Sequence, residues 1–273
     1  MNTSTKTKFA IGAALSGAAI FGAVVSGLSS AEQNTAQPSR TNFSELEETE
    51  IKTIIREYLD EHPEVVFQAL QNYQVREREI LEENLREGAR ENLVSLIDES
   101  TAFVGGADPD KAEIVVVELF DYHCSACKVA SAEVQNVVES DEDVKVIFRD
   151  LPFLAPESEF AAQASLAARE QDNYVDFHFD MMNYEGLLTK DRVQSFAEKN
   201  GLDFAALEIA AKSEDIANTL IKNQELAMSL DPRLRTPLFV IATKDGSHVD
   251  VMAGFHEIIF REKLEQAKAA FRN

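Results

Sequence analysis

Four short apolar runs rich in Val, Ile, Leu and Phe occur in the second half of the chain. Runs of this length and composition are typical of buried β-strands. They span residues 114–120, 144–148, 238–243 and 249–252. The last two are separated by Asp245-Gly246, a dipeptide that favours a hairpin turn. The pattern therefore predicts a small sheet whose final two strands form a hairpin.

Apolar residues between and after these runs recur with helical spacing. Residues 158–230 are predicted to be helical throughout, with Thr189 and Ser213 as N-caps and Gly201 as a stop. A closing helix is predicted over residues 257–270. The segment Gly105-Gly106-Ala107-Asp108-Pro109-Asp110 is predicted to be a turn leading into the first strand. Alternation of strands with helical segments indicates an α/β fold.

Two amphipathic helical patterns precede the first strand. The apolar stripe of the first consists of Ile51, Ile54, Ile55, Tyr58 and Leu59. Pro63 ends that helix and suits the first turn of the next one, whose stripe runs from residue 66 to residue 96. Such a stripe is covered either by the rest of the chain or by other copies. Because it exceeds what one small domain shields, residues 45–98 are predicted to form a helical extension that promotes oligomerisation.

Composition limits the classes of partner. The 273 residues carry 26 Lys and Arg against 48 Asp and Glu, which gives a net charge of −22. A surface this acidic argues against nucleic acid and against anionic membrane surfaces as partners. Basic or unfolded polypeptides are the clients that it weakly favours.

The first 31 residues have the pattern of an export signal. Lys6 and Lys8 precede an uncharged stretch over residues 9–28, and small residues follow at 29–31. An uncleaved membrane anchor is the alternative, since 20 uncharged residues can just span a bilayer. The polar segment 32–44 is predicted to be a linker. Export implies a periplasmic, oxidising location, where disulfides form and persist.

Cys124 and Cys127 are the only cysteines in the chain, and they flank Ser125-Ala126 directly after the first strand. Residues 126–138 are predicted to form a helix, so Cys124 lies at a helix N-terminus. Unpaired backbone N–H groups and the helix dipole stabilise an anion there, which lowers the pKa of a thiol. We therefore predict that Cys124 is the exposed, acidic nucleophile and Cys127 the shielded partner with which it closes a disulfide.

A structural disulfide and a metal site are the alternative interpretations of the pair. A bridge that closes four residues constrains the unfolded chain very little, so a structural role is disfavoured. A structural zinc site needs four ligands, and no second Cys or His pair has ligand spacing. The five histidines are scattered singly. Redox catalysis, with no metal and no organic cofactor, is therefore the preferred interpretation.

Further candidate site residues flank the cysteines. Glu118 is the only charged residue in its strand, and lies either on the buried face beneath the cysteines or at an exposed edge. A buried carboxyl has a raised pKa and can exchange a proton with a thiol. Thr236-Pro237 opens the third strand, where a cis bond is one possibility. His123 either steadies the thiolate by its charge or lines the rim of the site.

Together, these residues resemble the DsbA-like branch of the thioredoxin superfamily, and most of all the exported ScsC-type subgroup with an N-terminal helical extension. The matching segments are Val116-Val117-Glu118-Leu119-Phe120-Asp121-Tyr122-His123-Cys124-Ser125-Ala126-Cys127-Lys128, Phe148-Arg149-Asp150-Leu151-Pro152, Ser158 with the Ala-rich helix after it, Thr236-Pro237-Leu238-Phe239-Val240 and His62-Pro63-Glu64-Val65. The resemblance covers about residues 50–270.

The resemblance implies a thioredoxin fold over residues 99–273, interrupted by a helical insertion at about 155–230. It also implies a nucleophilic Cys124, a resolving Cys127, a buried Glu118 and a cis peptide at Thr236-Pro237 that contacts the disulfide and the substrate. The pair Ser125-Ala126 matches neither the Pro-His of strongly oxidising DsbA nor the Gly-Pro of thioredoxin, so the resemblance leaves oxidant strength open.

Thr before the cis-proline is shared with isomerase-type relatives, and with the oligomerising extension it favours an isomerase or reductase. The alternatives are a monomeric DsbA-like oxidase and a periplasmic protein that binds copper or zinc through the same thiols. The expected partners are unfolded or misoxidised exported proteins and a membrane redox partner of the DsbB or DsbD kind. A client segment is expected to pair with the backbone beside Thr236.

Overall fold

The computed structural model describes residues 43–108, 111–169, 171 and 173–272. The predicted export signal, and the predicted linker apart from Phe43 and Ser44, lie outside these residues. The described chain divides into two compact units, separated between His62 and Pro63. None of the described helices is long and apolar enough to cross a membrane.

The helices are α1 (Glu45–Glu61), α2 (Pro63–Glu91), α3 (Leu93–Leu96), α4 (Ser125–Ser140), α5 (Pro156–Ala168), α6 (Tyr174–Met182), α7 (Lys190–Lys199), α8 (Phe204–Ala210), α9 (Glu214–Leu230) and α10 (Glu257–Phe271). The strands are β1 (Phe103–Gly106), β2 (Ile114–Phe120), β3 (Val144–Asp150), β4 (Leu238–Thr243) and β5 (Val249–Ala253). Segment 158–230 is therefore not one continuous helix but five, α5 to α9. Thr189 and Ser213 accept hydrogen bonds from the N–H groups of Arg192 and Ile216, as N-caps do.

The first unit contains helix α1. It begins with a capping box, in which the Ser44 hydroxyl accepts from the Glu47 N–H and the Glu47 carboxylate accepts from the Ser44 N–H. No residue of α1 is buried. Ile54 and Tyr58 on its apolar stripe are 60% and 52% exposed. The apolar face of α1 therefore lies uncovered within its own unit.

The second unit is built on a five-stranded sheet with the order β1-β3-β2-β4-β5. Strands β2 and β3 are parallel, and the remaining pairs are antiparallel. Helices α4 and α10 pack on one face, and α2 and α9 pack on the other. The insertion α5–α9 lies between β3 and β4 in the chain. This arrangement confirms the predicted thioredoxin fold with a helical insertion.

Strand β1 corrects the prediction of a turn at Gly105-Gly106. Both glycines pair antiparallel with β3, Gly105 opposite Val146 and Gly106 opposite Lys145. Gly106 has a φ of +91°, and a Cβ added to it would lie 2.6 Å from the carbonyl oxygen of Val144. Glycine is therefore required here by the close approach of β3, rather than by a turn.

The second half of α2 belongs to the core of the second unit. Leu85 and Ala89 are 1% and 0% exposed, and both pack in the apolar cluster on the α9 side of the sheet. The Arg86 guanidinium donates to the Asp250 carboxylate on β5 at 3.0 and 3.1 Å, and Lys263 of α10 donates to the same carboxylate at 2.9 Å. The structural break thus lies at residues 62–63 rather than at the predicted boundary of residues 98–99.

This placement predicts different effects for two Leu→Ala substitutions. Leu85→Ala removes a fully buried side chain and leaves a cavity, so we expect a loss of about 2–5 kcal/mol in the free energy of unfolding. Leu187→Ala, at a residue that is 56% exposed, should change it by less than about 0.5 kcal/mol. Chemical denaturation of both variants measures the difference. Equal effects would show that α2 is an appendage to the domain.

Candidate active site

Cys124 is the N-cap of α4, because β2 ends at Phe120 and the chain turns directly into the helix. Its Sγ accepts a hydrogen bond from the Cys127 N–H at 3.3 Å. While it is protonated, the Cys124 thiol donates to the Thr236 carbonyl oxygen at 3.3 Å, and this bond is lost when the thiolate forms. The predicted helix N-terminus therefore supplies an N–H donor to the sulfur, which stabilises the thiolate.

The two thiols have opposite environments. The pKa of Cys124 is lowered to about 6, first by the hydrogen bond from the Cys127 thiol and further by the Thr236 side chain and the backbone N–H groups of Cys127 and Ala126. Burial raises the pKa of Cys127 far above the usual value for a thiol, and the hydrogen bond to Cys124 and the charge of Glu118 raise it further. At neutral pH, Cys124 is the thiolate and Cys127 the thiol.

Cys124 is less exposed to solvent than the sequence predicts. Cys124 is only 6% exposed, whereas Cys127 is fully buried. Cys124 lies on the wall of a surface cleft, here called the catalytic cleft, with a volume of about 630 Å³. The lining residues of this cleft are His123, Cys124, Ser125, Phe153, Leu154, Leu234, Arg235, Thr236, Ala253 and Gly254. A client sulfur must therefore enter the catalytic cleft to reach Cys124.

The Thr236-Pro237 peptide is cis, and it opens strand β4 on the other side of the cleft from α4. The Thr236 carbonyl oxygen faces the Cys124 sulfur, as its 3.3 Å contact shows. The Pro237 carbonyl oxygen accepts from the Gly254 N–H at 2.8 Å. The predicted substrate-binding residues Thr236 and Pro237 thus lie directly beside the nucleophile.

Glu118 lies on the buried face of β2, so the interpretation as an exposed edge residue is wrong. It is 2% exposed and pairs with Phe148 of β3 on one side and Phe239 of β4 on the other. Burial raises the pKa of Glu118 to about 8, with a further contribution from the negative charge of Cys124. A carboxyl with this pKa can hold a proton at neutral pH and can also release it.

His123 does not provide a positive charge to the thiolate. Its Nε2 accepts a hydrogen bond from the Leu188 N–H at 3.0 Å, which requires that this nitrogen be unprotonated. Its Nδ1 lies 2.9 Å from the hydroxyl oxygen of Ser158, and that hydroxyl donates to Asp121. Nδ1 therefore carries the proton, and the ring is neutral. Burial also lowers the pKa of His123, so this residue lines the rim.

The carboxylate of Asp121 is a site component that the sequence analysis missed. Its Oδ1 accepts from the His123 N–H at 2.8 Å and the Ser158 hydroxyl at 2.7 Å. Its Oδ2 accepts from the N–H groups of Phe153 and Leu154 at 2.8 and 2.9 Å. One carboxylate thus joins the loop before Cys124 to the loop after β3. The only sequence signal was an acidic residue at the end of an apolar strand.

Lys128, one residue after Cys127, was also missed. Its ammonium group donates to the carbonyl oxygens of Met182 and Tyr184 at 3.0 and 2.6 Å, which ties α4 to the end of α6. Burial lowers the pKa of Lys128, while the charges of the nearby acidic groups oppose that change. Within the described ranges, no group of three or more His, Cys, Asp or Glu side chains is arranged to hold a metal ion.

Two family models match the sequence. One, described as Thioredoxin, matches residues 100–259, which is more than half of the chain. The other, described as Copper resistance protein ScsC N-terminal domain, matches residues 47–79, which lie in α1 and the first part of α2. Together the two matches confirm the resemblance to ScsC-type proteins that the motifs indicated.

Solved structures share the fold. A thioredoxin-like oxidoreductase from Silicibacter pomeroyi is 30% identical, covers 64% of this chain and 96% of its own, and has a TM-score of 0.56. Salmonella enterica Typhimurium BcfH is 26% identical over 82% of this chain and 96% of its own, with a TM-score of 0.64. A linker-deletion variant of Proteus mirabilis ScsC is 20% identical over 85% and 99%, with a TM-score of 0.57.

Curated relatives are much longer than the segment that matches. The Na(+)/H(+) antiporter NhaA 3 of Salinispora tropica is 29% identical over 121 residues, which is 42% of this chain and 18% of the antiporter. NhaA 1 of Salinispora arenicola is 27% identical over a segment of the same length. The chain thus spans less than a fifth of the length of these two proteins.

Proposed function

We propose, on the premise that this chain belongs to the thioredoxin family and is a thiol–disulfide oxidoreductase, that it reduces and isomerises disulfides in exported proteins. The observation that carries the proposal is Cys124, a helix-capping thiolate on the wall of a cleft beside Thr236. The thiol–thiolate pair supplies both a nucleophile and a resolving group. The exchange of disulfides by this pair is chemistry between sulfur atoms.

The proposed reaction starts with attack by the Cys124 thiolate on a client disulfide. The S–S bond of the client breaks, a mixed disulfide forms at Cys124, and the departing client sulfur takes a proton. In reduction, Cys127 loses its proton and attacks Cys124 Sγ, which releases the client thiol and leaves the Cys124–Cys127 disulfide. In isomerisation, a second client thiolate attacks the client sulfur of the mixed disulfide and regenerates Cys124.

The environment of Cys124 favours a reduction potential below that of a strong oxidant. Its pKa of about 6 lies between about 7 for thioredoxin and about 3.5 for DsbA. A more stable thiolate favours the reduced form, so the reduction potential should also lie between those of thioredoxin and DsbA, at about −270 and −120 mV. Equilibration with glutathione measures this potential. Two assays then separate the activities. An isomerase restores the activity of a test protein with scrambled disulfides, whereas an oxidase forms disulfides in the same protein after reduction. A DsbA-like potential with no recovery would favour the monomeric oxidase.

Self-association through the N-terminal helices is part of the proposal. Helix α1 has no buried residue. The first part of α2 also exposes large apolar side chains, among them Phe67 at 61%, Leu70 at 52% and Tyr73 at 57%. Large apolar side chains exposed in this number on a helix are typical of an interface. Association of copies raises the local concentration of thiols around a trapped client, which suits isomerisation.

A charge on the apolar stripe of α1 should disrupt the assembly. We expect Ile54→Asp to convert the mature protein from an oligomer to a monomer, because a carboxylate in an apolar interface loses its hydration. Thr53→Asp is the matched control, because it adds the same charge to the same helix at an exposed position outside the stripe. Sedimentation velocity measures the mass. A wild-type monomer, or equal effects of both substitutions, would contradict self-association through this stripe.

Location and partners follow from the same proposal. We propose that residues 1–31 direct export to the periplasm, either as a cleaved signal or as a retained anchor. The clients are then unfolded or misoxidised exported proteins, and the charge of −22 argues against nucleic acid as a partner. A DsbD-like membrane partner keeps an isomerase reduced, whereas a DsbB-like partner keeps an oxidase oxidised. Alkylation of free thiols in intact cells measures the fraction of the protein in which the Cys124–Cys127 pair is reduced. A fully oxidised pool would contradict the proposed isomerase activity.

Copper binding is the second candidate function. The match of residues 47–79 to a domain described as belonging to a copper resistance protein favours it. Soft thiolate ligands select Cu(I), and the two sulfurs of Cys124 and Cys127 would supply them. Cu(I) retained at one equivalent by the reduced protein, with no exchange on any disulfide, would support metal handling instead of catalysis.

A further inference from the structure

A second cavity adjoins the catalytic cleft on the side of the helical insertion. It lies between α5 and α9 and has a volume of about 310 Å³. The residues that line it are Leu151, Pro152, Phe153, Glu159, Gln163, Ala217, Leu220, Ile221, Gln224 and Leu234. Phe153 and Leu234 also line the catalytic cleft. The two depressions are therefore adjacent, with these two side chains between them.

The chemistry of the cavity is that of a pocket for an apolar side chain. Its base and walls are mainly aliphatic and aromatic, and Glu159, Gln163 and Gln224 are its only polar residues. Ile221 and Phe153 are 53% and 42% exposed. Pockets that bind small groups have volumes from about 300 Å³ and combine apolar walls with a few polar groups. A single Leu- or Phe-sized side chain fits this description.

Leu234, the shared wall, has a strained backbone. Its φ is +44°, a left-handed conformation that is unfavourable for a branched residue. The surrounding loop holds it there. Its N–H donates to the Asp231 carbonyl oxygen at 3.1 Å, while the Asp231 carboxylate accepts from the Arg233 N–H at 3.0 Å and from Arg235 Nε at 2.6 Å. Strain of this kind is kept where it serves a site.

The position of Leu234 fits that expectation. The loop bearing it leads directly into Thr236-Pro237, so the residue that separates the cavity from the catalytic cleft lies two positions before the residue that contacts the Cys124 sulfur. A polypeptide held beside Thr236 in an extended conformation advances about 3.3 Å per residue. Its neighbouring side chains therefore reach across Leu234 within a few residues of the reacting cysteine.

We propose that the cavity between α5 and α9 binds a bulky apolar side chain of the client, a few residues from the cysteine under attack. The proposal rests on the function proposed above and defines its substrate class: segments in which a cysteine lies near Leu, Phe or a similar residue. Such segments are exposed in unfolded proteins and buried in correctly folded ones. The cavity thereby selects clients that are not yet folded.

Filling the cavity tests the proposal. The probes are glutathione disulfide and a set of peptides linked to glutathione through one cysteine, with Phe or Ser two, three or four residues to either side. The wild type should react with the best Phe peptide about tenfold faster than with its Ser counterpart. Ala217→Phe should abolish that preference. The loss should appear as a higher KM for the Phe peptide. Asn218→Phe, at the adjacent exposed position outside the cavity, should retain it.

Leu234→Asn gives an independent test. Asn tolerates the left-handed conformation better than Leu, so the variant should unfold at an equal or higher temperature than the wild type. It should nevertheless lose the preference for the Phe peptide, because the shared wall is gone. A purely structural role of Leu234 predicts that stability and preference fall together, and that result would overturn this part of the proposal.

Other outcomes are equally decisive. A wild type that reacts with glutathione disulfide but shows no preference for Phe at any position would overturn the subsite and leave the proposed function intact. The same holds if Ala217→Phe and Asn218→Phe have equal preferences. A reduced wild type that reacts neither with glutathione disulfide nor with any peptide would overturn the proposed function, and the subsite with it.

Discussion

Cys124→Ser should lower the rate of thiol–disulfide exchange by at least about 10³-fold, the largest loss that we expect from any single substitution. The hydroxyl that replaces the thiolate is not ionised at neutral pH, so no nucleophile remains on the cleft wall. Cys127→Ser is the matched control. It keeps the nucleophile but removes the resolving thiol, so it should form mixed disulfides with clients that persist. Reduction of insulin and non-reducing gels of client adducts measure the two effects.

The pH dependence of Cys124 follows from its lowered pKa. The rate of alkylation should rise through a midpoint at about pH 6, with Cys124 labelled before Cys127. A thiol whose pKa is lower in the folded protein than in the unfolded chain stabilises the fold above the unfolded pKa. This stabilisation of the reduced form is therefore complete above pH 9 and is lost as the pH falls to about 6. Labelling of Cys127 first would reverse the assignment of roles.

The residues that sequence reasoning located correctly are those whose position follows from local pattern. An apolar run, two cysteines and a helical spacing place Cys124 at a helix N-terminus, because each element is set by neighbours in the chain. The same logic applies to the hairpin of β4 and β5. The resemblance to DsbA-like proteins then implied the cis peptide at Thr236 and the burial of Glu118, both of which the structure shows.

What the sequence did not reveal depends on contacts between distant segments. Asp121 gains its role from the N–H groups of Phe153 and Leu154, more than thirty residues away. His123 is neutral because Leu188 donates to it. The sequence pattern predicts the end of the extension at residue 98 because one amphipathic stripe runs along all of α2. Only the packing of Leu85 onto the sheet distinguishes its buried half from its exposed half.

Glu118→Gln should slow the resolution step by about 10²-fold while raising stability at neutral pH. Glu118 is the buried carboxyl whose charge acts on both sulfurs, and Cys127 must lose a proton before it can attack Cys124. A general base contributes about 10²–10⁴-fold to such a step. Gln has almost the same shape but cannot accept the proton. Stopped-flow decay of a mixed disulfide formed at Cys124 measures the step.

Ionisation of Glu118 should make the free energy of unfolding of the wild type fall as the pH rises. The pKa of Glu118 is raised from 4.5 to about 8 in the fold, so the unfolded chain loses this proton first, and wild-type stability should fall as pH rises between these values. The slope is about 1.4 kcal/mol per pH unit, and Glu118→Gln should remove it. Glu262→Gln, at an exposed position of α10, is the control and should change neither slope nor rate. A large loss of stability in Glu118→Gln with an unchanged decay rate would show instead that Glu118 supports the fold and takes no part in proton transfer.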